Sequence, residues 1–124
     1  MANVLIAEDE AELARTLAEV LRAAGHTVRT APGGSQALAL ARQLAPELLI
    51  SDQDLSDPPN GLALYEQMSA ARPGLRVILM TGYASPSLRA WAESHAGAGL
   101  LEKPFSLSDF RALVARVSGV TGPA

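Results

Sequence analysis

Four short apolar runs, each stopping abruptly on polar residues, constrain this chain more than any other feature. Val4-Leu5-Ile6-Ala7 gives way to Glu8-Asp9-Glu10, and Leu48-Leu49-Ile50 to Ser51-Asp52. Val77-Ile78-Leu79-Met80 gives way to Thr81-Gly82, and Leu100-Leu101 to Glu102-Lys103-Pro104. Runs this short do not span a bilayer, which needs about 20 apolar residues, and they suit strands buried on both faces. A fifth, more polar segment from His26 to Ala31 reads as an edge strand. Between the strands the apolar period changes to that of a helix. Residues 10–24 carry Leu13, Leu17, Val20 and Leu21 at helical spacing, with Gly25 as the stop. Gly33-Gly34 opens a second helix that runs to about Ala45. Ser56-Asp57-Pro58-Pro59-Asn60-Gly61 is a turn leading into a third, which Pro73-Gly74 ends. Ser85-Pro86 is an N-cap with Pro at the first helical position. Ser106 and Asp109 have capping-box spacing before the stripe Phe110, Leu113, Val114, Val117.

Five strands alternating with five helices predict a (βα)5 α/β domain, a doubly wound five-stranded parallel sheet with right-handed crossovers. The 124 residues suffice for one such domain. It is expected over residues 1–120, with 121–124 as a short C-terminal tail and no room for an output domain. Composition removes other classes. With 48% hydrophobic residues and a net charge of −3 the chain is neither disordered nor a basic nucleic-acid module. It holds no cysteine, so thiolate metal sites and disulfides are excluded. The N-terminus lacks the basic region of a secretory signal, which points to a cytoplasmic protein with no membrane partner.

In open parallel sheets ligands bind beyond the carboxyl ends of the strands. Glu8, Asp9, Asp52, Asp54, Thr81 and Lys103 all fall there. Carboxylates 4 Å apart repel by about 4 kcal/mol a pair at an effective dielectric of 20, so either a positive charge sits among them or some are protonated. Hard oxygen donors without imidazole or thiolate favour Mg²⁺. A magnesium ion beside an ammonium and a hydroxyl suits a phosphoryl group, and a carboxylate is then the expected phosphoryl acceptor.

The segments VLIAEDE (4–10), LLISD (48–52), VILMTGY (77–83) and LLEKPF (100–105) resemble, in order and spacing, the response-regulator receiver domains of bacterial two-component signalling. The resemblance covers essentially the whole chain. It implies a flavodoxin-like sheet of strand order 2-1-3-4-5, either as a stand-alone receiver or as one like those of hybrid histidine kinases. It also implies that Asp52 is phosphorylated and that Asp9 binds Mg²⁺ directly, with Glu8 acting through water. The backbone carbonyl of Asp54 would join the metal, Thr81 would be the switch hydroxyl, and Lys103 would pair with phosphoryl oxygens. The Lys103-Pro104 bond is commonly cis in such domains. A histidine kinase or histidine phosphotransfer protein would donate the phosphoryl group, the domain itself catalysing its transfer and later loss. Output would go through contact with a downstream protein or onward phosphotransfer.

Departures from the family pattern are Ser56 where proline is common, Asn60-Gly61 lying one residue further from Asp52 than in many receivers, and Leu100 at the usual switch aromatic. Competing readings are a pseudo-receiver that only binds partners, a haloacid-dehalogenase-type phosphatase and a flavin domain. The second rests on Asp52-Gln53-Asp54, but on the wrong strand for that motif. The third is opposed by three acids where a flavin phosphate would bind. Simpler roles are expected elsewhere. Trp91 lies at the core edge or faces a partner, and Tyr83 lines the mouth of the site or is merely exposed. His26 and His95 lie at the surface or its boundary, and Glu10, Asp57 and Asp109 are caps or loop acids.

Overall fold

The computed structural model describes residues 2–119; the expected tail, 121–124, lies outside the described residues. In chain order the elements are β1 (Asn3–Ala7), α1 (Ala11–Ala23), β2 (Thr27–Ala31), α2 (Gly34–Leu44) and β3 (Leu48–Asp52). They continue as α3 (Gly61–Ala71), β4 (Arg76–Thr81), α4 (Pro86–Ser94), β5 (Ala98–Glu102) and α5 (Leu107–Gly119). The strands form one sheet in the order β2-β1-β3-β4-β5. Every pairing is parallel.

Successive strand side chains point to opposite faces, so each apolar run feeds two cores. Val4, Ile6, Leu48, Ile50, Ile78 and Met80 face α1 and α5, where they meet Leu17, Leu21, Phe110 and Val117. Leu5, Leu49, Val77 and Leu79 face the other way, against Ala37, Leu64, Met68 and Leu88 of α2, α3 and α4. The continuous apolar runs are thus explained by a sheet covered on both sides. β2, at the edge, buries only Val28 and Ala31.

Three side chains cap their own helices, two of them, Ser85 and Ser106, as the sequence predicts. Asn60 accepts from the Ala63 N–H at 2.9 Å, Ser85 from Leu88 at 3.1 Å and Ser106 from Asp109 at 2.9 Å. Gly25, at φ 99°, follows the end of α1 and donates to the Arg22 carbonyl. Of the expected loop acids, Asp109 lies in the first turn of α5, and Glu10 occupies the N-cap position of α1 without a side-chain cap bond. Asp57 caps a helix from another segment: its carboxylate accepts from the backbone and hydroxyl of Ser35 at the start of α2. One boundary differs from expectation. β5 begins at Ala98, two residues before Leu100, because Ala98 and Gly99 pair with Val77 and Ile78 although neither carries much strand signal. Among the described residues no helix is long and apolar enough to cross a membrane.

Candidate functional site

The crossovers bring the carboxyl ends of β1, β3, β4 and β5 to one edge of the sheet. Backbone bonds fix the residues just past the strands. Glu8 N–H donates to Ala31 C=O at 3.0 Å, Gln53 to Met80 at 2.7 Å and Lys103 to Thr81 at 2.7 Å. Gly61 is needed here, since a Cβ at that position would lie 2.7 Å from the Asp52 carbonyl oxygen. The Lys103–Pro104 peptide is cis, as the resemblance implies; Pro58–Pro59, which the sequence did not single out, is cis as well.

Three of the six expected residues are buried: Glu8, Asp52 and Thr81 retain 2%, 6% and 2% of their exposure. The Lys103 ammonium lies between the two buried carboxylates, 3.0 Å from Glu8 Oε1 and 3.4 Å from Asp52 Oδ1. Glu8 also accepts from the Glu10 N–H through Oε2 at 2.9 Å. Burial pushes the Glu8 carboxyl above its ordinary value, against the pull of the Glu10 N–H and Lys103. Asp52 is raised for the same first reason, with Lys103 opposing and Asp9 and Asp54 adding repulsion. Burial alone would lower Lys103, but its bond to Glu8 and the charges of Glu8 and Asp52 outweigh that and raise it. Asp9 is exposed and held below the usual range, chiefly by the Ser56 hydroxyl.

One carboxylate oxygen from each of Glu8, Asp9 and Asp52 lies within 4.8 Å of the others. Three anions served by one ammonium leave the cluster short of positive charge. Every candidate donor is a hard oxygen, so the set fits Mg²⁺ and fits no soft metal.

Two details go beyond the sequence reading. The Thr81 hydroxyl lies 3.2 Å from Asp54 Oδ2 and 3.1 Å from the Tyr83 carbonyl. Asp54, expected to contribute its carbonyl, therefore also engages Thr81 through its side chain. Ser56, Gln53 and Glu102 lie outside the set of expected site residues. Ser56 donates to Asp9 Oδ2 from its backbone at 3.2 Å and from its hydroxyl at 2.9 Å. Gln53 Oε1 accepts from Leu62 N–H at 2.8 Å and so orients the start of α3. Glu102 accepts from Ala84 N–H at 3.3 Å and pairs with Arg89 at 3.1 Å, tying β5 to the β4–α4 loop and α4. For Ser56 one signal was present, a hydroxyl where proline is common.

Tyr83 is 70% exposed and borders a cleft beside Thr81 and Asp54, so it lies at the mouth of the site and is exposed as well. Trp91 sits at the core edge, its ring edge-on to Tyr65 at 5.6 Å. His26 accepts from Ala2 N–H, and His95 is exposed and bonds the Trp91 carbonyl. Leu100 packs partly buried against the α2–α4 core.

Fold and site together define a flavodoxin-like α/β domain with an acidic, lysine-bridged centre at the carboxyl ends of its strands. The family model for the response regulator receiver domain matches residues 4–115, and the chain belongs to that family. It is similar to the probable transcriptional regulatory protein TcrX of Mycobacterium tuberculosis, 34% identical over 123 residues. That match covers 96% of this chain and 52% of TcrX, so the chain spans about half of that relative. The response regulator receiver protein CpdR of Brucella abortus is 28% identical, with 88% of this chain and 90% of CpdR covered. The non-phosphorylated HemR receiver domain of Leptospira biflexa superimposes with a TM-score of 0.85 at 30% identity, over 100% of this chain and 99% of that one. The chain is thus a receiver domain of the two-component response-regulator kind.

Proposed function

We propose that this domain is a phosphoacceptor switch in which Asp52 takes a phosphoryl group from a phosphohistidine on a histidine kinase or histidine phosphotransfer protein. The observation that carries the reading is the Lys103 ammonium held between two buried carboxylates, with a third carboxylate beside them. An asparaginyl or glutaminyl network would be cheaper to bury; charges are kept where charge chemistry is needed.

Lys103 engages Asp52 through Oδ1. That leaves Oδ2 to attack phosphorus in line, forming a P–O bond as the P–N bond to the donor imidazole breaks. Glu8, Asp9, Asp52 and the Asp54 carbonyl would hold Mg²⁺. When bound, that ion supplies positive charge to the phosphoryl oxygens. Lys103 would pair with the same oxygens, and it screens Asp52 from Glu8 beforehand. Loss of the group follows attack of water on phosphorus, which breaks the P–O bond to Asp52 and releases phosphate. The acyl phosphate offers Thr81 a stronger acceptor than Asp54 or the Tyr83 carbonyl. Thr81 then turns inward and the β4–α4 loop follows, shifting a population that already exists. With leucine at 100, that movement reaches α4 without the usual aromatic, and output passes to a protein partner.

The test is incubation with acetyl phosphate and Mg²⁺, followed by intact mass. Wild type gains one base-labile phosphoryl group, and Asp52→Asn gains none. No gain in wild type, or equal gain in both, overturns the reading.

A further inference from the structure

We infer that Ser56 is a positioning residue that makes Asp9 a one-oxygen ligand and thereby sets a preference for Mg²⁺ over Ca²⁺; this rests on the cation site proposed above. Both donors of Ser56, its N–H at 3.2 Å and its hydroxyl at 2.9 Å, point at the same atom, Asp9 Oδ2. A carboxylate oxygen has two lone-pair directions, so two donors use both. Oδ1 is then the oxygen Asp9 has left for a cation. The other two carboxylates are restricted as well. Glu8 gives Oε1 to Lys103 and Oε2 to the Glu10 N–H, and Asp52 gives Oδ1 to Lys103. Asp9 is the exposed member of the three, the one whose carboxylate would otherwise be free to turn and offer both oxygens.

Ser56 is itself fixed, although its side chain is exposed. The next residue, Asp57, accepts the Gly34 N–H on its carbonyl at 2.9 Å and Ser35 on its carboxylate. The loop lies so close to α2 that a Cβ on Gly34 would come within 2.3 Å of the Pro59 carbonyl oxygen. Two glycines at the mouth of α2 thus let the β3–α3 loop dock, and the docked loop presents Ser56 to Asp9 across 47 positions of sequence.

The two cations answer differently to such a clamp. Mg²⁺ takes single oxygens in a tight octahedron, whereas Ca²⁺ is larger, seeks more ligands and readily takes both oxygens of a carboxylate. Holding Oδ2 therefore costs Mg²⁺ little and denies Ca²⁺ a ligand.

The experiment is a titration of the isotopically labelled full chain with MgCl₂ and, separately, CaCl₂, reading affinities from backbone amide shifts in wild type, Ser56→Ala and Ser56→Thr. In Ser56→Ala, Oδ2 is released to Ca²⁺ and the Mg²⁺-to-Ca²⁺ preference falls by about tenfold, an effect of the size a single outer-shell partner has at a metal site, with the change carried by Ca²⁺. Ser56→Thr, which keeps the hydroxyl, stays within about twofold of wild type. The same spectra report that the fold is intact. An unchanged preference in Ser56→Ala, or an equal fall in Ser56→Thr, overturns the inference and leaves the cation site standing. Absence of any Mg²⁺ response in wild type overturns the site itself.

Discussion

Replacing Asp52 with asparagine preserves the shape of the side chain and removes one charge, and it is expected to stabilise the fold at neutral pH. Asp52 keeps 6% of its exposure and has one cationic partner, Lys103 at 3.4 Å. At an effective dielectric of 20 that attraction is worth about 5 kcal/mol. Repulsion from Glu8, whose ligand oxygen lies within 4.8 Å, returns at least about 3.5 kcal/mol of it. Asp9 adds a smaller, solvent-screened share. The pair terms nearly cancel, which leaves the cost of burying an ionised carboxylate, several kcal/mol against much less for an amide. Since asparagine can still accept from Lys103, a net gain of about 1–2 kcal/mol is expected. The pH dependence fixes the sign. The folded-state carboxyls of Glu8 and Asp52 are both raised, so their ionisation opposes folding at neutral pH. That opposition is relieved as pH falls through their folded values toward the unfolded ones. The advantage of Asp52→Asn therefore shrinks on acidification. Guanidinium unfolding with EDTA present, followed by the fluorescence of Trp91, the single tryptophan, measures it at pH 7.5 and 4.5. A mutant less stable than wild type at pH 7.5, or a gain that does not change with pH, refutes the reasoning.

Three further outcomes are expected. Lys103→Met strands two buried carboxylates; with the lysine side chain 26% exposed, about 1–2 kcal/mol is lost at pH 7.5, below the roughly 3–5 of a fully buried pair. The deficit narrows at acidic pH as Glu8 and Asp52 take up protons, and intact mass shows no phosphoryl gain. Gly34→Ala forces the β3–α3 loop off α2 and lowers stability by about 1–3 kcal/mol, with amide shifts reaching Ser56 and Asp9. Asn60→Ala removes the α3 cap and costs about 1 kcal/mol in the same unfolding assay.

The strands that line the site were readable because they are buried on both faces and therefore continuously apolar, as in Leu48-Leu49-Ile50. The start of β5 is not legible because Ala98 and Gly99 carry no such signal, although α5 packs closely there, a Cβ on Gly99 lying 2.9 Å from a Leu113 methyl. The site residues were readable for a related reason: strand ends in a parallel sheet converge, so Glu8, Asp9, Asp52 and Lys103 had to meet. What stayed hidden depends on the path of one loop. Ser56 reaches Asp9, and Asp57 reaches Ser35, only after the β3–α3 segment has packed on α2. No local pattern encodes that packing. The orientation of the Thr81 hydroxyl was equally hidden, being decided among close polar acceptors within reach of one rotor.

Asp52 is the one carboxylate proposed to carry the phosphoryl group. Borohydride reduction converts an aspartyl phosphate to homoserine, and peptide mass mapping of the reduced, acetyl phosphate-treated protein locates it. Homoserine at position 52 alone is the expected result. Homoserine at Asp9 or Asp54, or a phosphoryl group on a hydroxyl or imidazole with Asp52 intact, would contradict it.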